Sequence, residues 1–297
     1  MFSEQRKNWR SLDTVLLLSL IVLAGFVFYR VEVGLEYRWN WGAMPQYLFY
    51  YKENEGWQSG LLLQGLFATI RLSVWSLLLA LPFGLIAGLL RTSLHLFNRL
   101  SGGTYVALLR NIPPLVLVLV FYYFISDQFL PMLHIPALLE ASPDWLSGLI
   151  GAGVASPGQI ESFVAAVVTL ALIEGAYIGE IVRAGINAVG KGQWEAAAAL
   201  GMRRWQALRH IILPQAFRKI VPPLTGQVIS TIKDSAIVSV ISIQELTFQG
   251  MELMAATYRT FELWIVVTVM YFLLTYTVSI LAGRLEARLA VSHQFRS

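Results

Sequence analysis

The sequence predicts an all-α membrane protein that crosses the bilayer about six times and carries a helical loop on one side. Three observations support this. Hydrophobic residues make up 56% of the 297 and charged residues only 13%, with a mean hydropathy of +0.61, far from the balance of a soluble domain. Apolar runs of spanning length recur along the chain. The basic residues fall between those runs and mostly on one side.

In order, residues 1–13 are polar, with Arg6, Lys7 and Arg10, and Thr14 to Tyr29 is the first span. A cleaved signal peptide would also have a basic start and a short apolar core. The following GFVFYRVEVG has no small-x-small cleavage site, so a retained anchor is expected. Residues 31–60 are rich in Trp and Tyr, as in an interfacial belt. Leu61 to Leu90 is the second span, in which Gly84 and Gly88 form a small-xxx-small pair suited to close helix contact. Arg91 to Gly103 reads as a basic loop. Tyr105 to Ile125 reads as a helix broken at Pro113, since the apolar part after the prolines is too short to cross alone. Residues 126–161 form a long connection with short interfacial helices, one near Trp145 to Ile150. Ser162 to Arg183, Ala216 to Ile243 and Phe261 to Leu281 complete the spans.

Between the fourth and fifth spans lies a basic island, Gly190 to Pro214. An alanine-rich helix is expected from about Gln193 to Leu200, with Gly201 as a positive-φ terminator. A second basic helix then runs to Pro214, where a break is expected. Two short helices at an angle outside the membrane make a knob for another protein's groove.

Glu195-Ala196-Ala197, then Gly201, Ile211, Leu213 and Pro214, follow the spacing EAA-x3-G-x9-I-x-LP. This resembles the cytoplasmic loop of the membrane subunits of binding-protein-dependent ABC importers. Gly175 to Glu180, Pro214-Gln215-Ala216, Lys233-Asp234-Ser235 and Thr69 to Ser73 resemble the polar amino-acid permease branch (His, Glu, Gln, Arg and opine systems). The resemblance covers about Gly65 to Glu286. Asn111, Ile112 and Pro114 depart from the Gly-Thr-Pro-Leu usual after the arginine.

The resemblance implies an importer transmembrane domain over 61–290, preceded over 1–60 by a cytoplasmic segment, an added anchor and a periplasmic linker. It implies a separate ATPase carrying ATP and Mg, a periplasmic amino-acid-binding protein, a second permease subunit (a copy or a paralogue) and a polar amino-acid substrate. Trp194, Glu195, Ala196, Ala197, Leu200, Gly201, Met202, Arg203 and Pro214 are the residues expected to couple to the ATPase. Both termini are expected in the cytoplasm of a bacterial inner membrane. Charge gives the same orientation independently: about sixteen of the 22 Lys and Arg fall on the knob's side and about four on the other, which makes the knob's side cytoplasmic.

Arg71, Glu174, Glu180, Lys233 and Asp234 lie within spans, where each would cost at least ~2.5 kcal/mol facing lipid. Arg71, Glu174, Lys233 and Asp234 are the substrate-path candidates. Arg71 and Glu174 suit the carboxylate and ammonium of an amino acid, or an interhelical ion pair. Ion pairing is the expected state of Glu180, Lys233 and Asp234, with Arg183 one turn from Glu180. The family that the chain resembles commonly carries a small or polar residue where Glu174 stands, and that departure implies a bias toward cationic substrates.

Other classes fit less well. No phosphate-binding loop occurs, so ATP chemistry belongs to another chain. With no Cys, disulfides and thiolate sites are excluded. His95, His134, His210 and His293 are scattered singly, so no metal site or general base within a span is expected. The basic residues form no single patch, against nucleic-acid binding. An ion-coupled secondary transporter is the alternative, but it typically shows an internal repeat, and none is evident.

Overall fold

The computed structural model describes residues 11–34, 37–53, 55–126, 128, 130–133, 143–155 and 157–291. Outside them lie the basic start with Arg6, Lys7 and Arg10, much of the 126–161 connection with His134, and the end of the tail with His293. Contacts divide the chain into two units, Met1–Ala43 and Met44–Ser297.

In the first unit α1 spans Ser11–Gly34, longer than the expected span at both ends. A 3-10 turn follows at Trp41–Ala43, with the Trp39 and Trp41 rings stacked 5.7 Å apart.

The second unit opens with one helical turn, α2 (Pro45–Leu48), then strands β1 (Phe49–Lys52) and β2 (Gly56–Ser59). The strands pair antiparallel, from Phe49 opposite Ser59 to Lys52 opposite Gly56. Gly56, at φ +73°, closes the loop. This hairpin is the one departure from an all-α chain among the described residues. It also explains why the unit boundary falls before Met44 and not at residue 60. The Gly60 amide donates to the Leu48 carbonyl (2.7 Å), and a Cβ on Gly60 would lie 2.3 Å from the Tyr47 carbonyl oxygen.

The centre of the unit is the packed pair α3 (Leu61–Arg91) and α7 (Ile160–Asn187). Cβ atoms on Gly84 and Gly88 would lie 2.4 and 2.5 Å from side-chain atoms of Ile178 and Val182. Across the contact, a Cβ on Gly175 or Gly179 would meet Phe83 Cβ at 2.9 Å or Ala87 Cβ at 3.0 Å. Two small-xxx-small stripes thus face each other, and only hydrogen side chains let the backbones approach so closely. The helices run parallel, since residue numbers rise together along the contact.

Helix α4 (Leu96–Asn111) and α5 (Pro114–Val120) bend by 108° at Ile112-Pro113, where the break was expected. The basic loop before them shrinks to 92–95, however. Gly102, Val106 and Leu109 are buried at helical spacing, and a Cβ on Gly102 would sit 3.0 Å from the Ala87 carbonyl oxygen. That glycine marks a close contact and not a chain break. Helix α6 (Asp144–Gly153) matches the expected short helix near Trp145.

After α7 come α8 (Lys191–Ala199) and α9 (Arg204–Ala207). A π-helical stretch at Leu208–Ile212 leads into α10 (Leu213–Asp234). The expected break at Pro214 does not occur. The proline lies in the first turn of α10, where its missing amide removes no needed bond, and the wider π turn before it shifts the hydrogen-bond ladder. A 3-10 stretch at Ser235–Ile241 ends at Ser242 (φ 61°). Then come α11 (Leu246–Thr257), which hydropathy missed, and α12 (Thr260–Val291).

Among the described residues three helices, Leu61–Arg91, Ile160–Asn187 and Thr260–Arg284, are long and apolar enough to cross a membrane singly. The bent pairs α4–α5 and Arg204–Ile241 with α11 raise the number to five, and α1 holds a shorter apolar stretch, Asp13–Val27.

Candidate functional site

The knob begins with α8, which its four consecutive alanines favour. It ends in a Schellman arrangement: the Gly201 amide donates to the Ala198 carbonyl (2.9 Å) and the Met202 amide to the Ala197 carbonyl (3.1 Å). Gly201 takes φ +73°, a conformation only glycine adopts without strain. The Arg203 amide donates to the Gln206 side chain (2.8 Å) and starts α9. The motif therefore encodes a helix stop, a left-handed residue and a helix start within a few residues.

The faces of α8 differ. Ala197 is buried and Trp194 partly so, both turned toward the body of the protein. Trp194 packs on the core cluster that includes Ile186, Val189 and Ile212, and the Arg204 guanidinium sits 4.7 Å from its ring centroid. Glu195, Ala196, Ala198, Ala199 and Leu200 are exposed, Leu200 at 77%. Met202 is partly covered and Arg203 exposed. Trp194, grouped with the ATPase contacts in the sequence analysis, thus seats the knob on the membrane helices. Gln215 reinforces that seat by donating to Gln193 (3.0 Å).

A buried polar centre lies between α7 and α10. Glu174 is 1% exposed and accepts from Gln227 Nε2 (2.5 Å) and Thr231 Oγ1 (3.0 Å), with Asp234 beside it. Gln227, Thr231 and Asp234 are spaced four and three residues apart, so α10 presents them on one face. Lys233, adjacent to Asp234, is exposed, so the two charges point to different sides of α10. The spacing Q-x3-T-x2-D was the available signal for this centre, and reading charged residues alone passed over its two neutral members.

Arg71 does not join Glu174. Phe83 meets Gly175, so Arg71, twelve residues earlier, lies about 18 Å away along the helix at about 1.5 Å per residue. That exceeds the separation of the charged groups of one amino acid. Arg71 instead donates to the Gly151 carbonyl (3.3 Å) and Trp75, one turn on, to the Gly153 carbonyl (2.9 Å). Both side chains hold the C-terminal carbonyls of α6, where a cation also suits the helix dipole.

Glu180 binds Arg183, as expected, and also Arg91, with Arg110 at 3.7 Å. A second buried carboxylate, Glu245, was not singled out by the sequence. It is fully buried and caps α11 through the amides of Thr247 (2.9 Å) and Phe248 (2.8 Å). It also accepts from Tyr271 (2.7 Å) and Thr69 (3.3 Å). Three helices, α3, α11 and α12, thus meet at one side chain. Little in the sequence signals this cap, because Glu is not among the residues favoured at helix N-caps.

Three helices of spanning length among the described residues, two bent pairs and a close-packed small-residue core mark an integral membrane protein. A model of the binding-protein-dependent transport system inner membrane component family matches residues 80–291, and the chain belongs to that family. It is accordingly an ABC-transporter permease, a transport subunit and not an enzyme, and the family works with ATPase and binding-protein partners.

Among curated relatives, the glutamine transport system permease protein of Escherichia coli (strain K12) is 34% identical over 231 residues, covering 78% of this chain and 94% of its own. The arginine transport system permease protein of Bacillus subtilis (strain 168) is 32% identical over 228 residues, covering 77% and 92%. The crystal structure of an amino acid ABC transporter with histidines matches with a TM-score of 0.60 at 35% identity, over 77% of this chain and 94% of that one. An inward-facing methionine ABC transporter shares the fold, with a TM-score of 0.54 at 19% identity over 77% and 95%.

Proposed function

We propose that this chain is the permease subunit of an ATP-driven importer of polar amino acids, and that α8 to α9 couple it to a separate ATPase. The observation carrying this reading is the knob: a glycine-terminated helix seated by Trp194 and Ala197, with Glu195 and Leu200 left outward. Leu200, Gly201 and Arg203 form the tip that enters the ATPase. Nucleotide-driven closure of two ATPases draws two such knobs together and changes the accessible side of the path, a population shift coupled to nucleotide state. The knob and both termini lie in the cytoplasm, and a second permease subunit, a copy or a paralogue, completes the path across the inner membrane.

The substrate-binding region is proposed at Glu174 and Asp234 with Lys233 nearby, and Arg71 is assigned to positioning α6. Two carboxylates side by side favour a ligand with a cationic side chain, so arginine, lysine or histidine fit better than glutamate.

Co-purification from the native host tests the reading. Tagged wild-type protein is expected to bring an ATPase with it, and Glu195→Arg to lose it while remaining membrane-inserted. Absence of an ATPase from both preparations in mild detergent would overturn the coupling assignment and favour a stand-alone transporter.

A further inference from the structure

Where α3 ends, a groove of about 600 Å³ opens between that helix and the knob. It is lined by Ile86, Leu89 and Leu90, in the last apolar turns of the span, and by Trp194 and Leu208. The mouth carries Ser93, His95, Asn98 and Arg204. Arg204 is fixed there twice, over the Trp194 ring at 4.7 Å and by donation to the Thr92 carbonyl at 2.9 Å. The groove is thus apolar inside and cationic at the mouth.

Its position identifies the occupant. Arg91 is the last residue of a helix apolar enough to span, so the mouth lies at the level where hydrocarbon gives way to headgroups. The groove continues into the uncovered face of α3, with Leu85 46% and Ile86 56% exposed. Its rim is apolar and open: Leu94 is 71%, Phe97 79% and Trp205 61% exposed. The surrounding segments 92–99 and 201–219 contain Arg99, Arg203, Arg204, Arg209, Arg218 and Lys219 and no Asp or Glu, while Arg91 beside them is paired with Glu180. A phosphate monoanion on an acyl chain satisfies both halves of this site, because basic residues at a membrane face attract anionic headgroups.

We infer that the groove binds an anionic phospholipid, with one acyl chain along Ile86, Leu89 and Leu90 and the phosphate at Arg204. Bound there, the lipid bridges the end of α3 and the knob, so coupling depends on membrane composition. That last consequence rests on the coupling role proposed above, whereas the binding does not.

The test uses the purified full chain in phosphatidylcholine vesicles containing brominated phosphatidylglycerol or, at the same fraction, brominated phosphatidylcholine. The Trp205 contribution is taken by difference from Trp205→Phe. Stronger quenching by phosphatidylglycerol is expected, and Arg204→Gln should weaken its apparent affinity about fivefold, the contribution of one basic residue near the surface. Native mass spectrometry of Ile86→Trp, which fills the groove, should show loss of retained phosphatidylglycerol. Equal quenching by the two lipids would reduce the groove to ordinary lipid contact and overturn the inference. Loss of quenching on adding the partner ATPase would make it a protein interface instead. The comparison of the two lipids needs no ATPase and does not depend on whether Glu195→Arg releases one, so the two proposals fail separately.

Discussion

Two buried glutamates illustrate how differently a carboxylate is used inside this protein. Glu245 receives bonds from two backbone amides and two hydroxyls, which is an architectural use. Glu245→Ala removes a helix cap and the carboxylate that accepts from Tyr271 and Thr69, leaving Tyr271 only its contact with the Thr247 hydroxyl, so a loss of about 1–3 kcal/mol is expected. It should appear as a lowered unfolding midpoint in detergent, with Glu245→Gln losing less. Glu174 is held by neutral donors with a carboxylate as neighbour, which leaves a cation as the natural complement. For Glu174→Gln we expect arginine uptake to fall roughly tenfold to a hundredfold, the size of a charge-assisted hydrogen bond, while glutamine uptake changes little. Competition assays with labelled arginine would reveal an unchanged spectrum and so refute the assignment.

At the scale of elements, glycine placement governs both the core and the knob. Gly88→Ala pushes a methyl group to 2.5 Å from Val182, and overpacking of this kind costs about 1–3 kcal/mol. Adding Val182→Ala should recover much of the loss in thermal unfolding, a repair expected only if the two helices touch at that point. Gly201 has open space where a Cβ would go, so its constraint is φ and not packing. Gly201→Val should therefore leave the protein inserted and folded while uptake collapses, because the second helix is redirected.

Much of this was legible in the chain itself. Gly84-x3-Gly88, the Pro113 break and the Gly201 stop each act through local backbone chemistry that a sequence expresses directly. Helix α11 and the hairpin were not read. LTFQGMELMAAT lacks the length of a span, and FYYKENEGWQS reads as an aromatic belt although Gly56 marks its turn. The separation of Arg71 from Glu174 depends on the register between two helices, which neither helix states alone.

For the whole molecule, the natural lack of cysteine gives a clean test of orientation. A single Glu53→Cys, in the exposed loop of the hairpin, should react with an impermeant maleimide from outside the inner membrane. Lys191→Cys, on the exposed start of the knob, should react only after the membrane is opened. The reverse pattern would turn the molecule over and remove the knob from the ATPase.

The facing glycines of α3 and α7 bear on how such a molecule moves. Backbones in direct contact have no side chains between them to exchange rotamers, so sliding one helix past the other means driving glycines under Ile178 and Val182. The pair acts as a single stiff beam. Flexing is then left to α10, which has a π turn at one end, a 3-10 stretch at the other, and Pro222-Pro223 in its interior. If the proposed coupling holds, thrust delivered at the knob would bend this jointed strut and move its Gln227–Thr231–Asp234 face relative to Glu174 on the beam. On that reading the proposed ligand contacts would be remade with each stroke, without any change in the scaffold that carries them.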